Sequence, residues 1–153
     1  MSKVKVFVST LLLSASFSLN LLAFEGAFKN TASSGKSVTL SGYLSLSGLA
    51  YVPSNNSYVT AYLNGWLSMR DSSGNYYTNN TYLNVQVSFW ASSNYVYTTA
   101  YPNTYLTVYN KEGKVVGSGY LNQGIGVSGW INGNYVNLNG SGYVSMTVYV
   151  NED

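Results

Sequence analysis

The side chains best suited to chemistry in this sequence are aromatic. It contains sixteen tyrosines and three tryptophans, many of them two residues apart in segments that also carry Val and Leu. Tyr and Trp give large amphipathic contact areas at a low entropic cost, so rings on one side of a sheet favour binding rather than catalysis. The rings predicted to share an outward contact face are Tyr43, Tyr51, Tyr58, Tyr62, Trp66, Tyr82 and Trp90.

Residues for catalysis or metal binding are scarce. The chain has no His and no Cys, which removes the commonest general base, thiol nucleophiles and thiolate metal sites. The carboxylates considered as calcium ligands are Asp71 and the adjacent pair Glu152-Asp153, and these are too few for a calcium site. We therefore expect no enzyme, no catalytic or metal-binding residue, and no cofactor.

A strict two-residue period predicts the elements that position the rings. In Tyr135–Val150, apolar residues occupy even positions, and Tyr, Asn, Ser and Thr occupy odd ones. This pattern indicates a strand with one buried and one wetted face. Similar segments follow from Val38 onwards, about eight in all and without a helix. They predict an antiparallel β-sandwich, Ig-like or jelly-roll-like, for residues 37–153.

Turn residues suggest how neighbouring strands pair. A loop at Pro53–Asn56 would place Tyr51 opposite Tyr58 and Tyr43 opposite Trp66. Asn132-Gly133 is a strong hairpin signal and would place Trp130 opposite Tyr135. Residues 70–80 are predicted to be a loop. A gapless alignment of 42–69 with 119–146 gives nine identities in twenty-eight positions, which suggests a duplicated hairpin.

The N-terminus predicts export. Lys3 and Lys5 precede an uncharged, largely apolar run from Val6 to Phe24, as in a secretory signal peptide. We predict a signal peptide at 1–23, cleaved after Ala23, with a retained hydrophobic helix as the alternative. Residues 24–36 have no clear period and are predicted to form a flexible leader or a donor arm for a neighbouring chain.

The few charges are also informative. Without the predicted signal peptide, five basic residues balance five acidic ones, so we expect no nucleic-acid partner. None of these charged residues lies in a predicted strand, although sheet proteins commonly protect their strand edges with charged side chains. Two compatible interpretations are that the fold tolerates extremes of pH and that another chain pairs with its strand edges. Asn55 and Asn79 begin glycosylation sequons in or beside predicted loops, and Asn139 begins one within a strand.

Together these features predict a secreted, non-enzymatic structural or adhesion protein at the cell surface. In layout and composition the chain resembles the Tyr-, Ser-, Thr- and Asn-rich subunits of archaeal extracellular filaments. Self-association into a homopolymer is expected, through the uncharged strand edges and the Tyr/Trp face. The alternative is a carbohydrate-binding module or lectin with a glycan partner, and a small outer-membrane β-barrel ranks lower. Membrane contact is expected only if the N-terminal segment is retained.

Overall fold

The computed structural model describes residues 35–151, which form one compact unit. The described part of the chain is all-β and antiparallel, which confirms the predicted fold class, with nine strands instead of eight. The strands are β1 (Lys36–Tyr51), β2 (Ser57–Leu67), β3 (Tyr76–Thr78), β4 (Thr81–Ala91), β5 (Tyr95–Ala100), β6 (Thr104–Asn110), β7 (Val115–Leu121), β8 (Ile125–Asn132) and β9 (Tyr135–Val150). Within these residues no helix is long and apolar enough to cross a membrane.

The strands form a six-stranded and a three-stranded sheet in a sandwich-like arrangement. The larger sheet has the order β4-β2-β1-β9-β8-β5, and the smaller one β3-β6-β7. The two longest strands are central and pair along their whole length, from Lys36 opposite Val150 to Tyr51 opposite Tyr135. The first and last strands of the domain therefore form its middle.

The core follows the predicted alternation. The inward apolar side chains of the long strands are buried at every second position, as in β9, where Val136, Leu138, Val144, Met146 and Val148 are at most 5% exposed. The buried residues of β1, β2 and β4 are likewise Leu, Val, Ala and Phe. A single apolar cluster thus forms the interior, while the other face of each strand meets solvent.

The predicted pairing of β1 with β2 is wrong by two residues. Ser47 lies opposite Asn64, Tyr51 pairs with Tyr135 of β9, and Tyr58 pairs with Trp90 of β4. A shift of two residues preserves both faces, so matching faces could not exclude it. Close backbone packing sets the register instead, because a Cβ on Gly65 would collide with the Ser45 carbonyl oxygen.

The β8–β9 hairpin is also shifted by two residues. Asn132 pairs with Tyr135, so the two-residue loop is Gly133-Asn134 and not Asn132-Gly133. Gly133 has φ +59°, as expected for hairpin loops that place Gly at the first central position. Trp130 pairs with Tyr95 of β5, rather than with the predicted Tyr135.

The predicted loop at residues 70–80 contains the short strand β3. Asp71 turns the chain back, since its backbone N–H donates to the Tyr76 carbonyl (3.1 Å) and its carboxylate accepts from the Tyr76 N–H (2.9 Å). Arg70 then bridges Ser41 of β1 and Tyr77 of β3, where the two sheets meet. Three residues are too few to show a period in the sequence.

The predicted signal peptide at 1–23 lies outside the described residues, as does nearly all of the predicted leader. Lys36, assigned to the leader, is the first residue of β1. One charge therefore does lie in a strand, at its very end.

Candidate interaction surface

The outward side of the six-stranded sheet is an uncharged surface rich in aromatic rings, here called the aromatic face. All seven predicted contact residues lie on it and are at least half exposed: Tyr43, Tyr51, Tyr58, Tyr62, Trp66, Tyr82 and Trp90. No outward residue of these six strands is charged within the described chain. The prediction that these side chains point to solvent is confirmed.

The central strands carry two ring pairs. Tyr43 of β1 packs against Tyr143 of β9, with ring centroids 5.3 Å apart and planes at 72°. Tyr51 and Tyr135 pair in the same way, at 5.4 Å and 64°. Both are edge-to-face contacts, which contribute about 0.5–1.5 kcal/mol beyond the area they bury.

The outer strands carry ring pairs that contain the three tryptophans. Trp66 of β2 packs on Tyr82 of β4 at 5.2 Å and 61°. Trp130 of β8 packs on Tyr95 of β5 at 4.8 Å and 54°. A looser pair, Tyr58–Trp90, has its centroids 6.5 Å apart. Cross-strand pairing thus fixes the rings while leaving much of their surface open.

Hydroxyl and amide groups occupy the surface between the rings. The Tyr43 hydroxyl donates to Ser141 Oγ (2.7 Å), and the Asn84 amide donates to Asn64 Oδ1 (2.9 Å). These bonds link neighbouring strands without any ionised group. The aromatic face therefore combines fixed rings with neutral donors and acceptors, and its properties should change little with pH.

Sequence reasoning missed part of this surface. Tyr95, Trp130, Tyr135 and Tyr143 complete the ring pairs. The alternation predicts an outward position for the three tyrosines, but none of the four residues was in the predicted contact set. Each lies at an outward position, so the alternation did contain the signal. The shifted registers hid their partners, because the correct strand neighbours lie far apart in the sequence.

The edges of the larger sheet are not widely separated. The sheet curls so that its edge strands β4 and β5 approach, and Thr98 Oγ1 donates to the Ser88 carbonyl oxygen at 3.4 Å. In the smaller sheet, β7 runs beside the end of β9, where the Asn151 N–H donates to the Val116 carbonyl oxygen at 3.0 Å. This arrangement favours the aromatic face over the strand edges as a contact surface.

Five of the six charged residues in the described chain gather where the two sheets meet, in a group here called the charged cluster: Lys36, Arg70, Asp71, Lys111 and Glu112. Lys36 Nζ lies 5.5 Å from the centre of the Tyr76 ring, and Lys111 lies 3.9 Å from Glu112. Partial burial raises the pKa of Asp71, but hydrogen bonds from Ser73 and from backbone N–H groups outweigh it and lower that pKa. These contacts hold the turn before β3.

Two shallow depressions lie in this region. One is lined by Arg70, Gly74, Tyr77 and Lys111, and the other includes Lys36, Asp71 and Tyr76. Neither is lined by a tryptophan. Within residues 35–151, no three His, Cys, Asp or Glu side chains come close enough to hold a metal ion.

The sequon asparagines differ in setting. Asn55 lies in the turn between β1 and β2, and Asn79 lies between β3 and β4; both are exposed. Asn139 is also exposed, at an outward position in the middle of β9.

Comparison of the chain with known protein families, with curated proteins and with solved structures gives no match.

Proposed function

We propose that this protein is a secreted, non-enzymatic structural or adhesion subunit that assembles with copies of itself at the cell surface, as in an extracellular filament or coat. The observation that supports this most is the aromatic face. It is a broad uncharged surface of paired rings, on a protein that buries most of its aliphatic side chains in one cluster. Exposed apolar patches of several hundred Å² commonly mark interaction sites.

Export is supported by the sequence alone. Lys3 and Lys5 before an apolar run fit a signal peptide. We expect the extracellular protein to begin near Phe24, which intact-mass analysis would test. A chain that still begins near Met1 would instead favour a retained N-terminal helix.

Assembly is tested by following mass against concentration. The full-length secreted protein should form particles larger than monomers in light scattering after size exclusion, with fibres or sheets in negative stain. The double substitution of Tyr43 and Trp66 by Ser should reduce this assembly. As a matched control, Tyr105 and Tyr120 form a similar exposed ring pair on the smaller sheet, with centroids 4.8 Å apart, and their replacement should leave assembly intact.

A carbohydrate-binding module is the second candidate, because Trp66, Trp90 and Trp130 are each more than half exposed and could stack on sugar rings. Such a module would stay monomeric and be retained on immobilised glycans. A wild-type protein that remains monomeric at high concentration, across salt and pH, would overturn assembly and favour this alternative.

A further inference from the structure

The six-stranded sheet has an internal two-fold symmetry that the sequence does not reveal. Its middle is the pair Ser47–Asn139, on β1 and β9. On one side Ser47 pairs with Asn64 of β2, and on the other Asn139 pairs with Ser128 of β8. The same row continues to Asn84 of β4 and to Tyr97 of β5. A half-turn about the centre of this row exchanges β1 with β9, β2 with β8, and β4 with β5.

The half-turn also exchanges four of the five ring pairs on the aromatic face. Trp66 lies two residues after Asn64 of the central row, and Trp130 lies two after Ser128. Tyr82 lies two residues before Asn84, and Tyr95 lies two before Tyr97. The pairs they form have centroid distances of 5.2 and 4.8 Å.

The central ring pairs obey the same operation. Tyr43 and Tyr135 lie four residues before Ser47 and Asn139, and Tyr51 and Tyr143 lie four after them. The half-turn therefore exchanges the pairs Tyr43–Tyr143 and Tyr51–Tyr135, which have nearly equal geometry.

The backbone follows this symmetry as well. A Cβ on Gly48 would collide with the Tyr62 carbonyl oxygen, and one on Gly140 would collide with the equivalent oxygen of Gly126. Gly65 and Gly129 meet the Ser45 and Asn137 carbonyl oxygens, which are again equivalent. The two halves thus have close backbone contacts at matching points, so the symmetry belongs to the fold as well as to the rings.

This symmetry divides eight of the rings into two equivalent sets of four. A residue and the diagonal neighbour of its cross-strand partner lie about 7–8 Å apart, so each tryptophan pair adjoins one central pair. The first quartet is Tyr43, Trp66, Tyr82 and Tyr143, and the second quartet is Tyr51, Tyr95, Trp130 and Tyr135. Tyr62 and Tyr97 break the symmetry, since Gly126 and Asn84 occupy the equivalent positions. The Tyr58–Trp90 pair breaks it too, because the equivalent residues, Asn122 and Asn103, lie between strands.

Building on the proposed assembly, we infer that the aromatic face is bivalent: each quartet binds a like quartet on a different second copy of this chain. Three observations favour a second copy as the occupant. The rings meet edge to face, so each quartet offers both ring faces and ring edges, which another quartet complements. Both surfaces are uncharged, so like can meet like without repulsion. The quartets are separated, since Tyr43 and Tyr51 are eight residues apart on β1 and the tryptophan pairs lie on opposite sides of the β1–β9 pair, which leaves room for two neighbours.

The area is consistent with a contact of modest size. Fully buried aromatic side chains cover 150–250 Å² each, so four half-exposed rings offer roughly 400 Å² per quartet. A standard interface uses about 800 Å² per partner, so the surrounding Ser, Thr and Asn residues must supply the rest. Each single contact is therefore weak, and repetition along a polymer would make the assembly stable.

The test disables one quartet at a time in the full-length protein. We expect the wild type to polymerise. The double variants Trp66→Ser/Tyr82→Ser and Trp130→Ser/Tyr95→Ser should each form dimers but no larger assemblies. All four substitutions together should give monomers, whereas Tyr105→Ser/Tyr120→Ser should polymerise like the wild type. Light scattering after size exclusion measures each state, and circular dichroism confirms that each variant is folded.

A second pair of variants keeps all the rings. Ser45 and Asn137 are exposed, equivalent under the half-turn, and adjacent to Trp66 and Trp130 respectively. Ser45→Lys or Asn137→Lys would place like charges against each other in one of the two contacts, so each should also stop at dimers, and 1 M NaCl should partly restore polymers.

The outcomes separate this inference from the proposed function. Wild-type polymers that persist in every quartet variant would overturn bivalent binding but leave assembly standing. Single-quartet variants that are monomeric alone and dimerise only when mixed would overturn like-to-like contact. A monomeric wild type would overturn both proposals.

Discussion

The aromatic face and the charged cluster use opposite means to organise a surface. On the face, neutral rings and amides repeat over six strands, and no outward residue is ionised. In the cluster, Lys36, Arg70, Asp71, Lys111 and Glu112 gather around the junction of the two sheets, where short turns must be held. The difference indicates that this chain uses charge to fix local turns and keeps it away from the surface proposed for contact.

The largest expected effect is on the scaffold of the face. Gly65→Ala would push a methyl group against the Ser45 carbonyl oxygen, and Gly129→Ala would do the same against Asn137. Each should lower the free energy of unfolding by about 3 kcal/mol, at the upper end of typical overpacking. Thermal and urea unfolding followed by circular dichroism would measure this.

Equal losses of stability in Gly65→Ala and Gly129→Ala would also test the internal symmetry. Gly35→Ala is the matched control, since the nearest atom would lie 3.6 Å away, at ordinary contact distance. A Gly65→Ala protein that melts with the parent would show that the strands do not approach as described.

The β8–β9 turn should show a smaller effect. Gly133 has φ +59° and open space around it, so Gly133→Val would be penalised through the backbone alone. The expected loss is about 1–2 kcal/mol, because a β-branched residue is strained in that region. An unchanged melting temperature would contradict the turn geometry.

In the charged cluster, Asp71→Asn should destabilise less than the turn variant, because the carboxylate is largely open to solvent. The folded pKa of Asp71 is lowered from 3.8, so its ionised form stabilises the fold fully above that value. This contribution is lost as pH falls through the folded pKa. Stability curves of the two proteins should run parallel from pH 7 to 5 and converge below pH 3.8. A constant gap down to pH 2 would show that the carboxylate charge is not involved.

The smallest expected effect is that of salt on assembly. If neutral rings make the contact, the polymer mass of the wild type should be the same at 50 mM and at 1 M NaCl, because there is no charge pair to screen. Dissociation at high salt would point to the charged cluster as the contact surface, and would contradict the separation of charge from the contact surface.

The sequence predicts the faces of the strands well and their neighbours poorly. Alternation places Leu44 inside and Tyr43 outside whatever strand lies alongside, because it depends only on the pleat. Pairing depends on contacts between distant segments, such as Tyr43 with Tyr143, and period-two matching accepts any even shift. For the same reason the seven predicted contact residues are exposed, while their division into quartets could not be foreseen.

The suggested hairpin duplication illustrates this limit. Its alignment equates Gly42 with Gly119, which lie on β1 of the larger sheet and β7 of the smaller one. The half-turn instead relates β1, β2 and β4 to β9, β8 and β5, in the reverse chain order. A tandem duplication would preserve that order, so the two quartets do not derive from one copied hairpin.

The pairing of β1 with β9 also determines how the domain can fold as it is synthesised. β1 emerges first, but one of its two neighbours is the last strand to leave the ribosome. Until then one edge of β1 has no partner, and its Leu-rich side has only part of its cover. Such long-range pairing makes folding slow and exposes intermediates to aggregation. We expect productive folding to begin only after Val150 is available, so chains truncated before β9 should depend on chaperones to remain soluble.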